Sequence, residues 1–137
     1  MRVQKFALTG AAVLALALSG CSSSSTADAN QEYCDAVTSA QSEVGQLKSL
    51  ITGGDATLDD VRSQADAVRD AADQAGSGAD SLSESVRADI EAANEAFDKA
   101  VGDIPGDATL AQAAAQYQDA LRAWEESVQQ IRTEVGC

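Results

Sequence analysis

The sequence predicts an all-α fold: an up-down-up-down four-helix bundle that follows a disordered tether. Three observations predict it. Apolar residues recur at alternating spacings of three and four, the signature of a stripe along an amphipathic helix. Each periodic stretch is bounded by helix-starting and helix-stopping residues. Alanine is abundant and runs of β-branched residues are absent, which suits helices and not strands. Four such stretches joined by three short loops form a bundle of antiparallel neighbours.

The first helix is carried by Tyr33, Val37, Ala40, Val44, Leu47 and Ile51. The second follows Leu58, Val61, Ala65, Val68, Ala72 and Ala75. The third runs through Leu82, Val86, Ile90, Ala93, Phe97 and Val101. The fourth, and longest, takes Leu110, Ala114, Tyr117, Leu121, Trp124, Val128, Ile131 and Val135. Gly53, Gly76, Gly102 and Gly136 follow the four runs and are expected at helix C-termini, where positive φ is needed. Thr57 to Asp60, Ser81 to Glu84 and Thr109 to Gln112 each have capping-box spacing, the first with Asp in place of the usual Glu or Gln. The single Pro105 falls between the third and fourth runs.

Gly54-Asp55-Ala56-Thr57-Leu58 recurs as Gly106-Asp107-Ala108-Thr109-Leu110. Two origins fit: good loop-and-cap chemistry used twice, or duplication of a helical hairpin. The seams are narrow and much of their volume is alanine, so the core is thin for a single domain of this size.

Composition excludes several functions. The 137 residues carry 22 acidic and 9 basic side chains, a net charge of −13, which argues against a protein that binds nucleic acid by neutralising phosphates. There is no histidine, so histidine-based triads and histidine metal sites are excluded. No P-loop, nucleophile elbow or glycine-rich dinucleotide turn is present. Asp66, Asp70 and Asp73 share one face of the second helix, but without the spacing of a calcium loop they read as a solvated acidic face. Lys48 lies beside the first seam, where its stem is expected to cover apolar surface. We expect no enzymatic activity, no metal and no cofactor beyond a covalent lipid.

That lipid is suggested by the amino terminus. Arg2 and Lys5 precede an apolar run over residues 6–18, broken only by Thr9 and Gly10. The run is shorter than the roughly 20 residues of a membrane span and fits the apolar region of an export signal. Leu18-Ser19-Gly20-Cys21 then follows, with four serines behind it. In these residues the chain resembles a bacterial lipoprotein, with the quartet as its lipobox. The alanine- and aspartate-rich composition resembles that of exported actinobacterial proteins. The resemblance implies that residues 1–20 are a signal peptide and that Cys21 is acylated and becomes the new amino terminus. Residues 21–31 are expected to be a tether, about 17 Å long on average for a flexible ten-residue chain. Residues 32–137 form the bundle domain. Everything after the signal carries 22 acidic but only 7 basic residues, since Arg2 and Lys5 are the basic residues lost. Anchoring to a cell membrane on its extracytoplasmic face, or to an outer membrane where one exists, would then run through lipid, with no attraction of the acidic domain to anionic headgroups.

Export also bears on the two other cysteines. Cys34 opens the first helix and Cys137 ends the chain, so an up-down-up-down bundle brings them to one pole in an oxidising compartment. A disulfide is expected; no Cys-x-x-Cys or further ligand supports a redox pair or a zinc site.

Two candidate interaction sites remain. Thr38, Ser42, Gly45, Ser49 and Thr52 form a second, small and uncharged stripe on the first helix, and residues 108–118 of the fourth lack charge altogether. If the two helices are neighbours, Ala111, Ala115 and Gln116 would extend the stripe into a face for a protein partner in the cell envelope. Phe97, Tyr117 and Trp124 lie on the seams and read either as plain core or as the lining for a small apolar ligand. The leading expectation is a non-enzymatic envelope lipoprotein that binds or scaffolds another protein. A carrier or sensor of an apolar ligand, and a phage-type lipoprotein that excludes superinfection, are the alternatives.

Overall fold

The structure, a computed structural model, describes residues 21–137, with side chains from Ala27 onward. It is the four-helix bundle: α1 (Cys21–Gly53), α2 (Leu58–Gly78), α3 (Glu84–Gly102) and α4 (Leu110–Val135). Residues 1–20, expected to be a signal peptide, lie outside the described residues, as does the Cys21 side chain.

The helices associate as two hairpins. α1 packs chiefly on α2 and α3 chiefly on α4, while α2 against α3 and α1 against α4 join the pairs. α2 and α4 also approach across the centre, which leaves α1 and α3 at opposite corners. Every seam residue expected from periodicity is buried or packed against the core except for one shift of phase. In the first turn of α4 the buried alanine is Ala113, and Ala114 is only partly covered. Ala120 and Leu121 are both buried, so the α4 stripe is wide enough to touch more than one neighbour.

The tether prediction is corrected at its C-terminal end. Its last residues, 27–31, already belong to α1: Ala29 is buried, and the Asn30 Nδ2 donates to the Val135 carbonyl at 3.0 Å. The physical reason is the length of α4. Its last turn needs a partner, and only an α1 that begins before Tyr33 supplies one.

The predicted helix ends hold in part. Thr57 caps α2 and accepts from the Asp60 amide, while Asp60 accepts from the Thr57 amide at 2.9 Å, so the aspartate closes the box. Thr109 and Gln112 form the second box at the start of α4. Ser81 to Glu84 does not form one. Turns from Ala79 to Leu82 delay the helix, and Ser83 becomes the N-cap, accepting from the Val86 amide. Positive φ occurs at Gly54 (79°) and Gly136 (90°). Gly76 and Gly102 are inside their helices, and Ala79 and Asp103, both right-handed, are the C-caps. Left-handed glycines therefore directly follow α1 and α4, at Gly54 and Gly136, whereas α2 and α3 end in right-handed caps.

The two hairpins share one plan. Counted from their capping threonines, Val61, Ala65, Val68 and Ala72 of α2 occupy the same positions as Ala113, Tyr117, Ala120 and Trp124 of α4, and all eight are buried. The repeat thus extends past the loop into the register of the core.

Cys34 and Cys137 are joined by a disulfide, with Cα atoms 5.7 Å apart. It ties the first helix to the chain end across 103 residues. A cross-link closing a loop of about 100 residues stabilises by up to ~4.7 kcal/mol in the chain-entropy model. Cys34→Ser or Cys137→Ser should lower the thermal midpoint by about 10 °C or more, while Cys21→Ser should leave it where it was. Thermal melts with and without reductant check this, and a midpoint indifferent to reductant would contradict it.

Candidate functional site

The five small residues of the α1 stripe are all exposed and lie on the side of the helix away from the core. Three of the stripe's four hydroxyls are turned back on the helix. Thr38 donates to the Cys34 carbonyl at 2.8 Å, Ser49 to Gly45 at 2.9 Å and Thr52 to Lys48 at 2.9 Å. The stripe therefore offers a smooth surface on which three of the four hydroxyl donors are already satisfied by the helix's own backbone.

The α4 residues expected to extend this face do not do so. Contacts between α1 and α4 run antiparallel, from Asn30 with Val135, through Gln41 with Arg132 (3.0 Å), to Lys48 with Glu125 (2.6 Å). Lys48 is little more than one turn from the end of α1 and yet opposite Glu125, so α1 ends near the level of Ala120. Ala111 and Ala115 are exposed but lie past that end. Gln116, at helical spacing from Ala120, Ala123 and Ser127, belongs to the row that faces α3. Lys48 does not merely cover apolar surface: its ammonium pairs with Glu125 across the α1–α4 contact, a largely exposed pair worth under about 1 kcal/mol.

The aromatic residues are core. Phe97 and Trp124 pack with centroids 6.4 Å apart and planes tilted by 53°, the offset arrangement their quadrupoles favour. The Trp124 indole N–H donates to the Asn94 Oδ1 at 3.0 Å, and the Asn94 Nδ2 donates to the Ala72 carbonyl at 2.9 Å. One asparagine thus satisfies the indole and ties α2, α3 and α4 together. Tyr117 stands apart from this pair, turned toward Arg62, Asp66 and Arg69 of α2, and burial raises its phenol pKa. The three aromatic residues therefore do not line one chamber.

Tyr33 is buried beside Arg132 at the disulfide pole. Burial pushes its phenol up to about 12, partly opposed by the guanidinium. Arg132 itself donates to Gln41, and its Nε is buried without a partner.

Two surface clefts flank α3. The larger, between α2 and α3, is lined by acidic groups including Asp73, Asp80, Glu84, Glu91 and Asp98, with Asn94 and Ile90 at its base. Arg69 crosses it to Asp98 at 2.7 Å. Among the described residues no group of three or more acidic or cysteine side chains converges to hold a metal ion. Asp66, Asp70 and Asp73 are exposed along α2, and Asp66 pairs with Arg69 at 3.5 Å. The second cleft, between α3 and α4, is about 330 Å³ and is walled mostly by alanine over Phe97 and Trp124. No helix among the described residues is long and apolar enough to cross a membrane.

Comparison with protein families, curated proteins and solved structures finds no match to this chain.

Sequence reasoning missed Asn94 and the alanine-walled cleft. Asn94 was one polar residue beside a seam, with nothing local to mark it as the partner of an indole on another helix. The cleft had a readable signal in Ala92, Ala96 and Ala123, but which helix would lie beside α3 was a tertiary question.

Two outcomes follow from these contacts. Asn94→Ala strands the indole N–H and frees the Ala72 carbonyl, and should cost about 1–3 kcal/mol in urea unfolding. Asn94→Gln, which keeps the amide, should cost less than Asn94→Ala; equal losses would deny the hydrogen bonds their role. Tyr33 keeps its proton in the folded state well above the ordinary phenol value of 10.0, so its contribution to stability is complete below pH 10 and is lost as pH rises through about 12. Unfolding free energies measured across that range should fall, and Tyr33→Phe should remove that share of the decline.

Proposed function

We propose that this chain is a membrane-anchored extracytoplasmic lipoprotein of non-enzymatic type that binds or scaffolds another protein of the cell envelope. The observation that carries the reading is the Leu18-Ser19-Gly20-Cys21 quartet directly behind a short apolar run and a basic start. The bundle supports it, because cleavage before Cys21 would leave all four helices intact. The disulfide supports it too, since such a bond persists in an oxidising compartment. The acidic surface makes the lipid, and not the domain, the point of membrane attachment.

The binding role rests on the α1 face, where Thr38, Ser42, Gly45, Ser49 and Thr52 give a smooth, weakly charged surface on an otherwise acidic molecule. The ligand-carrier reading is less well supported, because Phe97 and Trp124 pack on each other and the indole N–H is already bonded within the protein.

The test is purification of the tagged protein from its own membranes in mild detergent, followed by intact mass and identification of co-eluting protein. The expected mass begins at acylated Cys21, and Cys21→Ala should lose the lipid and the membrane fraction together. An unmodified Cys21 overturns the anchor. A stoichiometric partner should be lost from Ser42→Glu/Ser49→Lys while the melt stays unchanged. Undiminished recovery of the partner from that variant rules out the α1 face.

A further inference from the structure

The exposed face of α3 has an order that neither the core nor the anchor requires. Ser85, Asp89, Ala92, Ala96, Lys99 and Asp103 are all exposed and follow one another at spacings of four, three, four, three and four. That is the spacing of a helix–helix seam, yet within the chain it faces no helix. Asp89, Ala92 and Ala96 border the apolar cleft whose floor is Phe97 and Trp124. The centre of the row is alanine, which lets a second helix approach closely.

The charges on this row are self-complementary. About a two-fold axis midway between Ala92 and Ala96, an antiparallel copy of α3 sets Ala92 against Ala96 of the other chain. The same operation sets Asp89 against Lys99, and Lys99 against Asp89. The outermost layer pairs Ser85 with Asp103, so no like charges are opposed within these six positions. Asp89 has no ion-pair partner among the described residues, and Lys99 reaches only Asp103 of its own helix, at 2.5 Å. Lys99 is the only lysine of the α3 sequence, and it stands on this row at the one position that meets the aspartate of a symmetric copy. On a chain of net charge −13, a neutral centre flanked by a matched pair is the place where two copies meet with least repulsion.

We propose that two copies of this chain associate through α3, antiparallel and two-fold symmetric, with the cleft between α3 and α4 covered by the partner helix. Such an isologous interface repeats each ion pair, so a single substitution acts twice.

The test is sedimentation equilibrium of the full chain in density-matched detergent, on wild type, Asp89→Lys, Lys99→Asp and the double exchange. The wild type should dimerise. Each single variant places like charges opposite one another at both pairs and should weaken the dimer by about tenfold or more. The double exchange should restore it. A general charge effect predicts otherwise: Asp89→Lys makes the chain less acidic and would strengthen association, whereas Lys99→Asp would weaken it. Strengthening by Asp89→Lys, or a double variant that stays weak while its melt matches wild type, overturns the proposal. So does a wild type that remains monomeric up to about 1 mM, where association would be worth only ~4 kcal/mol. In that case the cleft is left to a different protein or to an acyl chain.

Discussion

Close approach between alanine-rich helices is the constraint on which this domain depends. Van der Waals contact and exclusion of water require the seams to meet without voids, and an alanine seam meets only when the helix axes come near each other. Ala40, Ala65, Ala72, Ala75, Ala93 and Ala113 are buried for this reason. Tyr33, Phe97, Tyr117 and Trp124 supply the bulk where gaps would otherwise open. A core built in this way buries modest apolar area per residue, so links between distant parts of the chain matter more than they would in a leucine-filled bundle.

Those links are distributed with some economy. The disulfide holds the first helix to the last at one pole. Arg62 reaches the Gly106 carbonyl at 3.0 Å, holding the α3–α4 loop against the beginning of α2. Between the poles, Asn94 joins three helices with two hydrogen bonds. Each of these spans the boundary between the two hairpins, which is where helix packing alone is sparsest. The hairpins are internally similar, with the same Gly-Asp-Ala-Thr-Leu entry and the same buried phase. What differs is the set of polar side chains that joins one to the other.

This arrangement also sorts the surface. α2 and α3 carry the acidic cleft, α1 presents a stripe of small residues, and the outer row of α3 sets two alanines between Asp89 and Lys99. The domain is thus uniform in its core and varied on its faces.

The number of helices, the phase of each seam apart from the first turn of α4, the threonine caps at Thr57 and Thr109 and the pairing of Cys34 with Cys137 were legible in the residues. All follow from local spacing or from the topology that short loops enforce. The start of α1, the cap at Ser83 and the role of Asn94 were not, because each depends on a partner remote in sequence. Gln116 shows the same division. Its polarity and its place in a charge-free stretch were visible, but the direction it faces was set by α4 lying with α3 on one side and α1 on the other. Periodicity determines which side of a helix turns inward. Only tertiary packing decides which neighbour it meets and at what height, because register along parallel axes is fixed by the sum of many contacts between helices and by no residue alone.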